Sequence, residues 1–156
     1  MYSNETFNSA TDEFLGLIRP LHGEITDFKP QSDYWTIEEN IIHVCESEIN
    51  AYFRLRTILA EPGIDTFVTN EQSWAESIKG FKPHLDLFVE IFKNIRALES
   101  QILTTLNYND FSENYVIHRD FGKVSIQTWI DWYSEKHIQF HMDLINRNIR
   151  LWNEQK

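Results

Sequence analysis

The sequence predicts an all-α fold, a four-helix bundle with a long connection between its second and third helices. Three observations carry that reading. Apolar residues recur at helical spacing in four segments, whereas alternating, strand-like runs are scarce. The four prolines and five glycines fall mostly where those segments should end. Four helices of roughly 20–30 residues bury their apolar stripes most economically against one another.

The first helix is expected over about residues 5–28, with Pro20 and Gly23 marking a kink or break. The second has a clear start, because "TIEE" is a capping box with Thr36 as N-cap and Glu39 reaching back. It should run to about Ala60 and stop at Pro62-Gly63. A connection containing "EQSWAES" follows, with room for one short helix. Pro83, a favourable first-turn residue, opens the third helix, which reaches about Asn107. "NYNDFSENYVIHRDFGKVS" is expected as a loop, and the last helix covers about Ser125 to Asn153.

A chain of 156 residues is one domain by length, spanning 1–156, and can bury a core without disulfides. Five tryptophans, six tyrosines and eleven phenylalanines predict an aromatic-rich core. A formal charge of −10 argues against a nucleic-acid partner, which needs a basic footprint, and against an anionic membrane surface. Cys45 stands alone, so no internal disulfide forms and a reducing compartment fits. "MYSNETFNSATDEF" has neither a basic nor an apolar leader region, and no stretch is long enough to span a bilayer. A cytoplasmic protein is the expectation.

"SEKHIQFHMDLI" places His137 and His141 four positions apart, one turn apart on one helical face. On a wheel of the last helix, Ile126, Trp129, Tyr133, Phe140, Leu144 and Leu151 share a side, with Ile130 and Ile145 on its flank. Both histidines land in the middle of that arc. Each ring carries a donor and an acceptor that must be satisfied away from water. A metal would satisfy one nitrogen of each, given a third ligand from another helix. His22, His43, His84 and His118 are the candidates. His43 falls on the polar arc of helix two beside Glu39, Asn50 and Arg54, so it serves only if that arc lines a cleft.

Other chemistries are excluded. There is no paired Glu-x-x-His of a di-iron bundle, no His-Glu-x-x-His, and no Cys-x-x-Cys. Neither a Gly-x-Ser-x-Gly elbow nor a phosphate-binding glycine loop occurs. Cys45 reads as a small buried hydrophobe.

"YWTIEENIIHVCESE" resembles the Trp-[Ser/Thr]-x-x-Glu-x-x-x-His-x-x-[Asp/Glu] segment of the DinB-like (DNA-damage-inducible, YfiT-type) superfamily. "HRDFGKVSIQTWIDWYSEKHIQFHMDLINR" resembles its closing segment, where His-Pro-x-x-Gly leads into a helix carrying His-x-x-x-His. Arg119 stands where the family usually has proline, Leu144 where glutamine often follows the second histidine, and Glu46 for the commoner Asp. The resemblance implies a four-helix bundle with a long second connection and a divalent metal on three histidines, here His43, His137 and His141. It also implies a homodimer, and thiol-dependent transfer using bacillithiol, mycothiol or glutathione as one class of activity.

Three neutral imidazoles leave an open position, the layout of a catalytic zinc site. Zinc or nickel suits so nitrogen-rich a donor set. Such a metal lowers the pKa of bound water to about 7 or holds a thiol as thiolate. Glu46, one turn from His43, is the candidate proton acceptor or orienting group. Two functions follow. One is an enzyme that transfers a low-molecular-weight thiol or hydrolyses a small substrate. The other is a non-catalytic metal-binding bundle that acts by association.

Overall fold

The computed structural model describes residues 4–77 and 84–156. Helix α1, Asn4–Ile18, turns Phe7, Phe14 and Ile18 into the core. It ends just before Pro20, and Gly23, at φ 72°, reverses the chain into the short α2, Glu24–Asp27. The expected break in the first helical segment therefore separates two helices.

Helix α3 spans Ile37–Ala60 and opens with the expected capping box. Glu39 N–H donates to Thr36 Oγ1 at 3.0 Å, and Thr36 N–H donates to Glu39 Oε2 at 2.8 Å. After the Pro62-Gly63 stop, α4, Glu71–Ser77, is the short helix foreseen in "EQSWAES". Helix α5, Leu85–Thr105, follows with His84 at its N-cap. Pro83, expected to open it, lies outside the described residues.

The segment expected as a loop before the last helix is instead ordered structure. Asn107 caps a short α6, Tyr108–Glu113, in a second capping box with Asp110. Strands β1, Tyr115–His118, and β2, Gly122–Ser125, then form an antiparallel hairpin with Val116 opposite Val124. Both valines point into the core, and Gly122 supplies the turn at φ 68°. The connection after α3 is laced onto β1: Ile117 N–H donates to the Ile64 carbonyl, and Thr66 N–H to the Ile117 carbonyl, each at 2.8 Å. Two valines in four-residue strands are too short an alternation to announce a hairpin, and the connection completes its backbone pairing from a distance.

The last helix runs from Ile126 to Glu154 as α7, Ile126–Ile130, a π-helical stretch, Asp131–His137, and α8, Ile138–Glu154. Its wide turns insert one residue, which rotates everything beyond it by about 100° relative to a continuous α-helix. Before it, Ile126, Trp129 and Ile130 face the core, and within it Tyr133 does; after it, Ile138, His141, Ile145 and Asn148 do. Phe140, placed by the uniform wheel in the apolar arc, is consequently 58% exposed.

Two apolar clusters fill the bundle. One gathers Phe7, Leu55, Ile58, Leu103 and Trp129; the other gathers Phe14, Ile41, Val44, Cys45, Phe92 and Ile145. Burying such side chains is worth about 1.5–3 kcal/mol each. A polar layer separates them. Arg96 of α5 donates to Thr11 Oγ1 of α1 at 2.8 Å, to Glu48 of α3 at 3.2 Å and to Ser134 Oγ of the π stretch at 3.4 Å. Glu99, wholly buried beside them, has a carboxyl pKa raised well above the usual range by burial and then by the Glu48 charge. Among the described residues, no helix is long and apolar enough to cross a membrane.

Candidate metal centre

His43 comes from the second turn of α3, His137 closes the π stretch, and His141 sits in the first turn of α8. Packing of α3 against α8 brings one ring nitrogen of each within 4.8 Å of the others. The Nε2 atoms of His43 and His137 are 3.0 Å apart. Ring centroids stand 5.1, 4.6 and 4.8 Å apart around the triangle. His43 and His141 are buried, and His137 is half-buried.

The polar arc of α3 thus does line a cleft, which is why its histidine faces inward. Asn40, His43 and Arg54 are all buried, while Ser47, Asn50 and Arg54 border a cavity of 490 Å³ that reaches His137. Ser47 Oγ lies 3.4 Å from His43 Nε2. Trp35, held by an Asn148 Nδ2–H donation to its carbonyl at 2.8 Å, roofs the rings of His43 and His141.

Burial pushes the pKa of His43 down to about 4. Burial first, and then repulsion from neighbouring rings, pushes His137 to about 3 and His141 to about 2. The rings are therefore neutral at pH 7, the state in which imidazole offers a lone pair to a metal. Two Nε2 atoms face to face with a third ring beside them cannot all be satisfied by one shared proton. A single cation between the rings satisfies all three, so the donor set fits a divalent ion.

The remaining candidates are placed apart. His22 and His84 are exposed. His118 is buried on β1, accepts the Asp120 N–H on Nδ1 at 3.1 Å and lines the cavity, outside the three-ring cluster. Glu39 serves the capping box. Glu46 is half-buried, and burial raises its carboxyl pKa. A second carboxylate, Glu71 of α4, comes within 4.0 Å of His43 Nε2 and borders the cavity; burial raises its pKa too. Asn40 and Glu71 were not singled out from sequence. Asn40 sits three residues before His43, a same-face spacing that could have marked it. Glu71 arrives from the connection, where no periodicity points.

Fold and site together describe a mostly helical bundle carrying a three-histidine cluster beside an open cavity. The bundle superimposes on a solved structure described as "YfiT from Bacillus subtilis is a probable metal-dependent hydrolase with an unusual four-helix bundle topology". The TM-score is 0.85 at 16% identity, covering 96% of this chain and 85% of that one. This likeness shows the fold, a YfiT-type four-helix bundle, as the DinB-like resemblance implied. Relatives by sequence include a Bacillus pumilus protein named "Putative metal-dependent hydrolase", 26% identical over 137 residues, 83% of this chain and 77% of that protein. A protein of the same description from Oceanobacillus iheyensis is 24% identical over 130 residues, 81% of this chain and 74% of its own length. No protein-family profile matches the sequence.

Proposed function

We propose that this chain is a metal-dependent enzyme acting on a small molecule, with His43, His137 and His141 as the metal ligands. One observation carries the reading: three neutral ring nitrogens lie within 4.8 Å of one another, and one of the three rings, His137, borders a 490 Å³ cavity. The names of the related proteins support hydrolysis as the reaction. When bound, a zinc or nickel ion supplies Lewis acidity and a nucleophile at neutral pH.

The chain's own groups supply the rest. His43 of α3 with His137 and His141 of the last helix would hold the ion, and His137 opens onto the cavity. Trp35 packs against the rings of His43 and His141. Glu71, with Oε2 4.0 Å from His43 Nε2 at the edge of the cavity, would be placed to accept a proton there. Glu46, one turn from His43, orients the centre. A purely structural site would have its open side closed by protein, and the cavity beside His137 counts against that alternative.

Elemental analysis of untagged protein should return about one equivalent of metal, as a single three-histidine site requires. Metal retained after His137→Ala and His141→Ala together would place the site elsewhere. Activity is screened with small esters and amides, and in parallel with low-molecular-weight thiols paired with an epoxide or chlorinated arene. Turnover of ester without thiol identifies a hydrolase; turnover only with thiol identifies a transferase. Glu71→Gln and Glu46→Gln should each lower the rate while leaving the metal bound, Glu71→Gln the more. A homodimer in a reducing, cytoplasmic setting completes the proposal, and light scattering should return twice 18.6 kDa.

A further inference from the structure

Arg54 stands in the wall of the cavity beside His137 and is 9% exposed. Two arginines are this deeply buried among the described residues, and they are differently partnered. Arg96 meets the Glu48 carboxylate at 3.2 Å; among the described residues Arg54 meets no carboxylate within ion-pair reach. Its Nε donates to Thr66 Oγ1 at 3.5 Å, Nη2 to the Phe67 carbonyl at 3.4 Å, and Nη1 to the hydroxyl oxygen of Tyr133. All three acceptors are neutral, and two lie at the long limit of a hydrogen bond. A buried guanidinium without counter-charge is unfavourable until an anion joins it.

The donors are not used up. A guanidinium carries five N–H groups, so three bonds leave one N–H on each Nη. Because Tyr133 accepts through its oxygen, its own hydroxyl proton is also left to donate. We propose that Arg54 and Tyr133 anchor the carboxylate of a small monoanionic substrate whose reacting group lies at the three-histidine centre. The inference rests on the metal-dependent reading above and adds the substrate class to it.

Geometry sets the size of that substrate. The Tyr133 ring is 5.9 Å from the His137 ring, so a few bonds separate the carboxylate from the group that reacts. Phe121 and Trp132, with ring centroids 5.0 Å apart, give the cavity an exposed aromatic wall suited to an apolar substituent. Glu71 and Asp120 border the same space. Against one arginine, two acidic neighbours disfavour a dianionic phosphate and leave a monoanion as the better match.

The test is calorimetric. Phenylalkanoates with one to four methylenes, their carboxamides and the matching phosphate monoesters are titrated into metal-loaded protein, in buffer free of carboxylate and phosphate. At least one acid should bind about tenfold or more tightly than its amide and its phosphate, since a charge-assisted bidentate contact is at stake. Arg54→Met should abolish that margin, and Tyr133→Phe should narrow it severalfold. The metal-free double variant His137→Ala, His141→Ala should keep it. No margin in the wild type overturns the proposal, as does a margin that survives Arg54→Met. A margin lost in the double variant overturns it too, because the carboxylate then sits on the metal. If circular dichroism shows Arg54→Met unfolded, Tyr133→Phe decides, an unchanged margin being fatal. Elemental analysis of the same preparations reads the metal centre separately, so the two readings fail independently.

Discussion

His141 Nδ1 lies 2.9 Å from Oδ1 of the fully buried Asn40. Asn40 Nδ2 in turn donates to the Thr36 carbonyl at 2.7 Å, which fixes the amide with its oxygen toward the histidine. That oxygen can only accept. His141 therefore carries its proton on Nδ1 and keeps the Nε2 lone pair for a metal. Partners of this kind typically hold 10–100-fold in metal affinity. Asn40→Leu should weaken zinc binding by about that factor in a chelator competition, and Asn40→Asp, which still accepts, should not. Equal affinity for Asn40→Leu would mean that the tautomer is not set here.

Acid should weaken the metal-free protein through the same rings. Folded, they titrate at about 4, about 3 and about 2; unfolded, each returns to about 6.5. As pH falls below 6.5 the unfolded chain binds protons that the folded chain refuses, so stability drops toward pH 4. Glu99 opposes this: its raised pKa gives a contribution that is full at low pH and fades as pH rises. Comparison with His141→Leu removes that term. Between pH 7.5 and 5, metal-free wild type should lose about 2 kcal/mol more than the variant in urea titrations. Parallel losses would show the ring to be solvated.

The polar layer makes an asymmetric prediction. Among the described residues Arg96 is the one cation in it, touching α1, α3 and the π stretch, so Arg96→Met strands the Glu48 carboxylate inside the bundle. Breaking a buried pair this way costs about 3–5 kcal/mol. Burial and the Glu48 charge favour the protonated form of Glu99, so Glu99→Gln swaps one neutral group for another and should fall within about 1 kcal/mol of wild type. A Glu99→Gln loss comparable to that of Arg96→Met would show Glu99 to be ionised.

Chelation should lower the melting temperature without unfolding the chain, because two apolar clusters stand independently of the site. At a hundredfold saturation of a bound ion the linkage term is about 2.7 kcal/mol, which for this length is about 5–10 °C. An unchanged melting curve after verified metal loss would contradict the buried, metal-satisfied triad.

Much of this was legible in local signals. The Thr36–Glu39 box, the stops at Pro20 and Pro62-Gly63 and the one-turn spacing of His137 and His141 all act within a few residues. Position alone could not place His43 inside, because the polar arc it shares with Asn50 and Arg54 looks the same whether it faces solvent or a cavity. The β1–β2 hairpin is not legible because its partners include Ile64 and Thr66, some fifty residues away, and long-range backbone pairing leaves no period. Phe140 falls on the wrong face of a uniform wheel because such a wheel gives every turn the same number of residues.

That wide turn between Asp131 and His137 makes the chain's length, and not only its composition, part of the site. The wide turns take up one extra residue, so deleting one there and closing the helix into ordinary turns removes a residue and its share of the twist together, and Ile138, His141 and Ile145 keep facing the core with Trp129. Closing those turns at full length has no such compensation, and neither has a residue added just after His137. Everything downstream would then swing by about 100°, and Ile138, His141 and Ile145 would leave the core together. An added residue in this stretch is thus a frameshift of geometry, silent in residue chemistry yet able to dismantle the centre whole.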